Sequence, residues 1–383
     1  MKILISTDEY EYQINGVTNS VVALRDELRK LGHEVRVLAL SPNKKSFKKG
    51  DDYYISSFHM PIYPDARYSF KYHDKLLDEI VEWDPDIVHI QTEFATRKLA
   101  MRVINRINKP YVMTCHAVYE DYISYFSPSK KIGKAVIKRL SNKYYNKSNG
   151  LVVPSTKLKD IEIGYNIKCP IHVIPTGIDL NKYNKELTVK DREKLLKELN
   201  LSKDDDILVT VCRLAVEKNI DEILSYLPIL AKENEHIRFL IVGDGPYKKK
   251  LEKKVVDMEL SKYVRFSGMI DPKVVYKYYN LGDIFVCAST SESQGLTYVE
   301  ALSCSLPMVC KKDRCLDDII DEGKNGYQFT DSESFITSID KILRDTKLKN
   351  KMKKYSKEKS LSFSKEKFGK DMEELYISLL NNK

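Results

Sequence analysis

Short apolar runs alternate with longer stretches of helical periodicity along most of this chain. The first such group has an apolar run at residues 2–6, a loop that ends in Asn15-Gly16, a helical stretch at residues 17–31 and an apolar run at residues 34–40. This order predicts a β-α-β unit, in which the helix joins two parallel strands. Repetition of the pattern therefore predicts parallel sheets with helices on both faces, an α/β fold.

The alternation occurs in two series, separated by residues 175–179 and a polar stretch at residues 181–187 that we interpret as a linker. Further strands of the first series are predicted at residues 86–90, 110–114, 150–153 and 171–174, and helices at residues 71–82 and 96–107. Strands of the second series are predicted at residues 207–212, 237–242, 263–266, 283–288 and 306–309, with a charged helix at residues 248–258. We therefore expect two doubly wound domains in tandem, and 383 residues are enough for two cores.

The last part of the chain has only helical periodicity. Helices are predicted at residues 332–344, 347–359 and 365–380, and the last is long enough to return to the first domain. The expected domains are residues 1–178, residues 179–362, and a return helix at residues 363–383 that packs on the first domain.

Composition excludes several classes of protein. No stretch approaches the roughly 18 apolar residues of a membrane span, and the start of the chain is unlike a signal peptide, so a cytoplasmic location is expected. The seven cysteines form no C-x-x-C pair, which favours reduced thiols. The net charge of +9 fits nucleic acid, an anionic membrane or simple solubility. Because the lysines are scattered and do not alternate with aromatic residues, nucleic acid is disfavoured.

Two cations follow the strand predicted at residues 207–212. In open α/β sheets ligands bind at the carboxyl ends of strands, where Arg213 and Lys218 would lie. Two fixed cations can neutralise a diphosphate. Taken alone, a salt-bridge network at the surface explains them equally well.

Two glutamates lie eight positions apart after the strand predicted at residues 283–288. Gly295 precedes a helical stretch and allows a ligand to approach the backbone, and the free N–H groups of the first helical turn favour an anion. Glu300 lies one turn into that helix and suits paired ribose hydroxyls, while Glu292 stays in the loop and is free to touch a sugar. The spacing alone is common in charged proteins, and its position beside Arg213 and Lys218 makes it specific.

These motifs resemble family 4 of the retaining glycosyltransferases, whose fold of two Rossmann-like domains facing a cleft is called GT-B. The matching segments are Asn15-Gly16-Val17, Arg213 with Glu217-Lys218-Asn219, Val242-Gly243-Asp244-Gly245-Pro246, and Glu292 to Glu300. The resemblance implies that residues 1–178 bind the acceptor and residues 179–362 the nucleotide sugar. It also implies that Arg213 and Lys218 hold the donor diphosphate and Glu300 the ribose. It assigns the donor sugar to Glu292 and the backbone of Gln294, Gly295 and Leu296, and it adds Gly16 and Gly243 to the donor site. The Gly243 motif is not G-x-G-x-x-G, so a nicotinamide site is disfavoured.

Two histidines end strands of the first domain, His89 and His116, and a lone histidine at such a place is more often structural. The run from His116 through Tyr119, Glu120, Asp121 and Tyr122 is similar to a narrower subgroup, the bacterial diacylglycerol glucosyltransferases. This resemblance implies that His116 contacts the transferred sugar and that the four following residues serve the acceptor. Cys115 and Ala117 stand where threonines are usual, and the loop at residues 13–16 is shifted, which affects the acceptor assignment.

A basic amphipathic helix is predicted between residues 129 and 147. Apolar residues recur at helical spacing, at Ile132, Ala135, Val136, Leu140 and Tyr144, and lysines lie largely elsewhere on the wheel, at Lys130, Lys131, Lys134, Lys138 and Lys147. Such a helix can lie on anionic lipid, which would place the protein peripherally on the inner face of the cell membrane. A packed helix with a solvated lysine face has the same pattern.

The resemblance implies a retaining hexosyltransferase that moves glucose from UDP-glucose to diacylglycerol, with no cofactor. No Asp-x-Asp motif stands beside a donor strand, and the cations already present make a metal unnecessary. The alternatives are a family 4 enzyme acting on a capsule, teichoic or undecaprenyl-linked glycan, a sugar-nucleotide epimerase of the same fold, and a basic membrane or nucleic-acid binding module without catalysis. The oligomeric state is open.

Overall fold

The structure, a computed structural model, describes residues 1–13, 15–59, 67–71, 73–125 and 127–381, without the side chains of Tyr122, Ser124 and Tyr125. The chain forms two compact units. Unit 1 comprises Met1–Ile178 with Phe363–Lys383, and unit 2 comprises Asp179–Ser362.

The strands are short and most are buried. They are β1 (Lys2–Thr7), β2 (Glu34–Leu40), β3 (Phe47–Lys49), β4 (Asp52–Ile55), β5 (Phe58–His59), β6 (Arg67–Tyr68), β7 (Ile87–Ile90), β8 (Tyr111–Thr114), β9 (Gly150–Val153), β10 (Ile171–Val173), β11 (Asp206–Val211), β12 (Ile237–Val242), β13 (Val264–Gly268), β14 (Ile284–Cys287), β15 (Met308–Lys311) and β16 (Gly326–Phe329).

The helices lie mainly between the strands. They are α1 (Gly16–Lys30), α2 (Lys75–Trp83), α3 (Ala95–Ile107), α4 (Lys130–Tyr145), α5 (Thr156–Gly164), α6 (Leu180–Tyr183), α7 (Val189–Glu198), α8 (Ile220–Glu233), α9 (Lys248–Asp257), α10 (Tyr276–Tyr279), α11 (Leu296–Ser303), α12 (Ser332–Arg344), α13 (Thr346–Ser360) and α14 (Lys365–Asn381). A 3-10 helix at Tyr119–Tyr125 precedes α4.

The sheet of unit 1 has the strand order β10-β9-β8-β7-β1-β2-β4-β3, with β3 antiparallel to β4 and the other neighbours parallel. Its strand β1 pairs with β2 on one side and with β7 on the other, so the order of the strands reverses between β1 and β7. Unit 2 has the parallel order β13-β12-β11-β14-β15-β16, which reverses between β11 and β14. The predicted α/β class with doubly wound parallel sheets is confirmed.

The return of the last helix to unit 1 is also confirmed. Phe368, Met372, Leu375 and Tyr376 of α14 are buried in one hydrophobic core with residues of α1 and the sheet. Burial of each such side chain contributes about 1.5–3 kcal/mol. Two backbone hydrogen bonds also join the residues before α14 to Ile178. The Ile178 N–H donates to Phe363 O and the Lys365 N–H donates to Ile178 O, both at 3.0 Å.

Three details differ from the sequence predictions. Helix α2 begins at Lys75 and not at residue 71, because the Asp74 side chain accepts a hydrogen bond from the Leu76 N–H and caps the helix there. The predicted linker contains α6, which Asp179 caps in the same way. Strands β3 and β4 were not predicted, since the run at residues 52–55 is short and begins with an acid, although all four of its residues are buried.

Among the described residues, none of the helices combines the length and the apolar character needed to cross a bilayer. All seven cysteines are free thiols.

Candidate functional site

The candidate donor residues follow the two strands between which the order of unit 2 reverses. Arg213 and Lys218 follow β11, and Glu292 and Gly295 follow β14, the neighbouring strand. Because parallel strands end at the same edge of the sheet, these residues share the crevice where open α/β sheets bind ligands. The topology therefore brings Arg213, Lys218, Glu292 and Gly295 to one edge of the sheet of unit 2.

Lys218 and Glu292 form an ion pair. The Lys218 Nζ lies 2.5 Å from Glu292 Oε1, and the Ser289 hydroxyl donates to the same oxygen at 3.0 Å. The two side chains are 20% and 18% exposed, which leaves little water to screen the pair. Burial opposes the charge of Lys218, but the Glu292 carboxylate outweighs it and raises the pKa of the ammonium. Glu292 lies in the loop between β14 and α11, as expected, and is paired there with Lys218; its contact with a sugar stays a prediction.

Gly295 begins helix α11 in a left-handed conformation, with φ of 74°. A Cβ at this position would lie 2.3 Å from the ring of Tyr298. A side chain is therefore disfavoured both by the positive φ and by the contact with Tyr298. Gly295 itself has no side chain to cap the first turn of α11, and the backbone N–H groups of that turn suit an anion. Gln294, the preceding residue, is buried, and Leu296 is half-buried.

Two tyrosines hold the carboxylate of Glu300. The Tyr183 hydroxyl of α6 donates to Oε1 and the Tyr279 hydroxyl of α10 donates to Oε2, both at 2.7 Å. Burial raises the pKa of Glu300, and the two hydrogen bonds partly offset that rise. Sequence reasoning missed both tyrosines, since Tyr183 lies in the predicted linker and nothing sets either apart among 25 tyrosines.

The loop that carries Arg213 packs against the Gly243-Asp244-Gly245 turn. Gly243 has φ of 132°, and a Cβ there would lie 2.0 Å from the carbonyl oxygen of Cys212. The Leu214 N–H donates to Asp244 O at 2.9 Å, which joins the two loops. Gly243 thus allows the close packing that fixes the loop of Arg213. The Arg213 side chain itself is exposed and has no ion pair among the residues that the structure describes.

In unit 1 the polar residues at the reversal between β1 and β7 form a hydrogen-bond network. The His116 Nε2 lies 2.7 Å from the Gln91 amide oxygen, which can only accept, so that nitrogen carries the hydrogen and Nδ1 is left as an acceptor. His89 Nδ1 and Nε2 lie 2.6 Å from the hydroxyls of Tyr376 and Thr114. Burial lowers the pKa of His116 to about 4, and burial with repulsion from His116 lowers that of His89 to about 3. Both rings are neutral at pH 7.

Gly16 lies at the exposed first position of α1, after β1. The Asn15 side chain caps this helix and accepts from the Thr18 N–H at 2.9 Å. Ile14 of the predicted loop motif is outside the described residues.

The predicted acceptor residues are partly occupied by other side chains. The Tyr119 hydroxyl donates to Glu93 Oε2, and the Tyr145 hydroxyl of α4 donates to Glu93 Oε1 at 2.6 Å. Glu120 accepts from the Tyr165 hydroxyl and pairs with Lys134 at 2.9 Å. Asp121 is exposed, and the Tyr122 side chain is not described. The run after His116 therefore ties the 3-10 helix to α4.

A second buried carboxyl, Glu162 of α5, lies in the same region. Its Oε1 accepts a weak hydrogen bond of 3.7 Å from the Cys115 thiol. Burial, with repulsion from Glu93, raises the pKa of Glu162 to about 8. Sequence reasoning included Glu93 in a run after His89 that is similar to the same narrower subgroup, but gave it no role. It did not identify Glu162, because a glutamate in a helix gives no signal of burial.

Helix α4 keeps an apolar stripe at the surface. Its buried residues are Gly133, Ile137, Ser141 and Tyr145. The exposed fractions of Ile132, Val136 and Leu140 are 62%, 43% and 41%. Lys130, Lys131 and Lys138 are exposed as well, while Lys134 is paired with Glu120. The alternative of a packed helix with only a lysine face in water is therefore wrong for this stripe.

Models of known families match both halves of the chain. Residues 14–182 match the model described as Glycosyltransferase Family 4, and residues 191–359 match the model described as Glycosyl transferases group 1. The alpha-monoglucosyldiacylglycerol synthase of Acholeplasma laidlawii is 32% identical over 397 aligned positions, which cover 100% of this chain and 99% of the relative. The chain belongs to glycosyltransferase family 4.

Other relatives of this glycosyltransferase are similar over most of its length. The alpha-monoglucosyldiacylglycerol synthase of Streptococcus pneumoniae is 30% identical, over 99% of this chain and 86% of the relative. The sulfoquinovosyl transferase of Arabidopsis thaliana is 26% identical, over 91% of this chain and 67% of the relative.

Solved structures agree with the glycosyltransferase in fold. A glycosyltransferase from Rickettsia africae has a TM-score of 0.78 at 19% identity, covering 100% of this chain and 99% of that chain. HepE from Anabaena, in complex with UDP and glucose, has a TM-score of 0.75 at 18% identity, covering 99% and 100%. The GT-B fold expected from the sequence is confirmed.

Proposed function

We propose that this glycosyltransferase moves glucose from UDP-glucose to diacylglycerol, with retention of configuration, at the surface of an anionic membrane. The observation that carries the proposal is the exposed stripe of Ile132, Val136 and Leu140 on the basic helix α4. An enzyme acting on a soluble glycan has no need of such a stripe. The names of its two synthase relatives, which align over nearly the whole chain, support the same acceptor.

The donor is held in unit 2 by charge and by backbone groups. In this proposal Arg213, Lys218 and the first turn of α11 bind the diphosphate, which places fixed positive charge beside the leaving group. Glu300, already oriented by two tyrosines, accepts hydrogen bonds from the ribose hydroxyls. Glu292 and the backbone of Gln294 to Leu296 bind the glucose. In this proposal the Lys218–Glu292 pair links the diphosphate site to the glucose site, since Lys218 faces the phosphate and Glu292 faces the sugar.

The reaction breaks the bond between C1 of glucose and the oxygen of the β-phosphate. The acceptor hydroxyl oxygen bonds to C1 on the same face, and its proton passes to the departing phosphate oxygen, so the configuration at C1 is kept. The two cations supply charge stabilisation, and we expect turnover without a divalent metal. In this proposal His116 contacts the transferred sugar through Nδ1, the nitrogen that Gln91 leaves as an acceptor.

To reach a diacylglycerol acceptor, the enzyme must contact a lipid surface. The apolar stripe of α4 would enter the boundary between headgroups and acyl chains, and Lys130, Lys131 and Lys138 would lie near anionic headgroups. Each cation near such a surface contributes about 1 kcal/mol. Together these interactions would hold the enzyme at the inner face of the membrane.

The test is transfer from radiolabelled UDP-glucose in the presence of chelator, with vesicles of phosphatidylglycerol and diacylglycerol in one reaction and extracted water-soluble glycans in another. We expect label in the lipid extract, with the α configuration by proton NMR. The matched control is Glu292→Gln, which keeps the size of the side chain and should give no product. Label confined to the glycan fraction, or a β-linked product, would overturn the proposal.

A further inference from the structure

Three aromatic side chains at the surface of unit 1, Phe58, Tyr68 and Phe70, contact one another, and a fourth, Phe94, lies directly before α3, whose Lys98 contacts Tyr68. Phe70 is 80% exposed and Phe94 is 57% exposed, while Phe58 and Tyr68 of the β5–β6 pair are half-buried. The Phe58 and Phe70 rings stack with centroids 5.0 Å apart, and the edge of Tyr68 meets Phe70 at 5.0 Å. We call these residues, Phe58, Tyr68, Phe70 and Phe94, the aromatic patch.

The patch is held in place by polar contacts. The Arg67 guanidinium donates to the hydroxyl of Ser57 at 2.7 Å and to its carbonyl oxygen at 3.2 Å, which ties the β5–β6 pair to the end of β4. The Lys98 ammonium lies 5.2 Å from the centre of the Tyr68 ring and donates to its hydroxyl. The rings are therefore presented at the surface by an ordered part of the chain.

Helix α3 connects the patch to α4. Lys98 contacts Tyr68, and the neighbouring Arg97 guanidinium lies 3.7 Å from the ring centre of Tyr144 on α4. Phe94, directly before α3, meets Tyr119 edge-on at 6.5 Å, and Tyr119 begins the 3-10 helix that leads into α4. All these contacts lie within unit 1. The first turn of α3 thus contacts both Tyr68 of the patch and Tyr144 of α4.

The chemistry of this surface favours lipid over protein as its partner. Single exposed apolar residues are ordinary, but Phe70 precedes Lys71 in the chain and packs on Tyr68, which Lys98 contacts, so aromatic and cationic groups share one surface. Aromatic rings with nearby cations are the groups that bind best at the level of lipid headgroups. Charge complementarity then selects an anionic bilayer.

We propose that the aromatic patch is a second membrane anchor, which enters the headgroup region of the same anionic bilayer as the apolar stripe of α4. The inference deepens the proposed function, because it rests on a membrane as the place of the acceptor. Two anchors give unit 1 a defined orientation on the bilayer, whereas a single helix leaves it free to rotate about the helix axis.

The test uses tryptophan as a depth probe. Trp83 is the only tryptophan of the chain and is 8% exposed, so the wild-type protein supplies a constant background. Phe70→Trp and Phe94→Trp are compared with Val189→Trp, a control in unit 2 whose wild-type side chain is 75% exposed. Vesicles contain phosphatidylcholine alone or mixed with phosphatidylglycerol, with brominated acyl chains as quenchers. We expect a blue shift and quenching for the two patch probes on anionic vesicles only, and neither for Val189→Trp.

A fourth probe, Ile132→Trp on α4, separates this inference from the proposed function. Quenching of Ile132→Trp without quenching of Phe70→Trp overturns the aromatic anchor and leaves the lipid acceptor in place. Absence of quenching at all three positions of unit 1 overturns both. Burial of the patch probes without vesicles, accompanied by a dimer in sedimentation, assigns the patch to a second copy and also overturns the inference.

A variant with both exposed phenylalanines replaced, Phe70→Ser with Phe94→Ser, gives an independent readout. We expect its affinity for anionic vesicles to fall about tenfold or more. Its affinity for UDP, measured by calorimetry, should stay that of the wild type, because the patch is in unit 1 and the donor residues are in unit 2. Unchanged vesicle affinity would contradict the anchor.

Discussion

The Tyr183 hydroxyl donates a hydrogen bond of 2.7 Å to Oε1 of Glu300, a residue 117 positions later in the chain. Tyr279 engages the other carboxylate oxygen at the same distance. Each oxygen keeps a further lone pair for a ligand, but the plane of the carboxylate is fixed by two buried rings. A carboxylate held in this way is prepared for a pair of neighbouring hydroxyls before the ligand arrives.

We therefore expect Tyr183→Phe and Tyr279→Phe to weaken UDP binding about tenfold each, which corresponds to about 1.4 kcal/mol. The preference for UDP over its 2′-deoxy analogue should shrink as well, because a rotating carboxylate no longer selects the paired hydroxyls. Titration calorimetry with both nucleotides measures the two effects. Tyr276→Phe is the control from the same helix, since its ring lies under Lys185 and not beside Glu300. An unchanged preference in both variants would contradict the positioning role.

The Lys218–Glu292 pair allows catalysis and stability to be separated. Lys218→Met and Glu292→Gln should each reduce transfer by about a hundredfold or more, because each removes a group proposed to act on the donor. Each should also destabilise unit 2 by about 1.5–3 kcal/mol, since the partner is left unpaired in a site with little water. Initial rates and calorimetric unfolding measure the two quantities.

A second ion pair in unit 2 serves as the matched control. Lys349 and Asp283 lie 2.6 Å apart with side chains 19% and 20% exposed, close to the values for Lys218 and Glu292. Lys349→Met should therefore destabilise to a similar extent and leave transfer unchanged. Equal loss of transfer in Lys349→Met and Lys218→Met would mean that the activity depends on stability alone.

Gly295→Ala tests the helix start at the donor site. An L-residue at positive φ costs about 1–2 kcal/mol, and at Gly295 the added methyl group also meets the fully buried Tyr298 ring. Gly323 has the same φ of 74°, and its nearest neighbouring atoms are 3.9 Å from an added Cβ. Gly323→Ala thus isolates the backbone cost. We expect Gly295→Ala to lower the thermal unfolding temperature further and to abolish UDP binding, whereas equal shifts would contradict the steric account.

Glu162 makes the stability of unit 1 depend on pH. Its pKa is raised from 4.5 to about 8, so the folded state holds a proton that the unfolded state releases as the pH rises above 4.5. The contribution of the neutral carboxyl is therefore complete below pH 4.5 and is lost as the pH rises toward 8. The loss amounts to about 1.4 kcal/mol for each pH unit in this range.

Glu162→Gln imitates the neutral carboxyl and should remove this dependence. We expect the stability of the variant relative to wild type to grow from pH 4.5 to about 8 and then to level off. Urea unfolding followed by Trp83 fluorescence is the measurement, because the only tryptophan lies in unit 1 and reports that unit. A difference that stays constant across this range would show that Glu162 does not hold a proton in the folded state.

Much of the fold and part of the donor site were predictable from the sequence. Alternating apolar runs and amphipathic stretches determine a parallel α/β fold, because a strand buried on both faces and a helix buried on one leave different periodicities. The same order places Arg213, Lys218, Glu292 and Gly295 at strand ends. Strand β4 was not predicted because it is short and begins with an acid followed by two tyrosines, a composition that occurs as often in loops.

The contacts that orient the site were not predictable. Lys218 reaches Glu292 across 74 positions, and Tyr183 reaches Glu300 from a segment that looked like a linker. Such pairs depend on which strands become neighbours in the sheet, and β11 lies beside β14 although two strands separate them in the chain. Local periodicity carries no information about that order.

Helix α4 shows most clearly what the sequence determines and what only the tertiary structure decides. The sequence alone indicated a basic helix between residues 129 and 147, with apolar residues at helical spacing and lysines largely elsewhere on the wheel. The tertiary structure decided that Gly133, Ile137, Ser141 and Tyr145 face the core and that Ile132, Val136 and Leu140 remain in water. Periodicity defines the faces of a helix, but only packing against the rest of unit 1 determines which face is buried, because burial depends on neighbours that are distant in the chain.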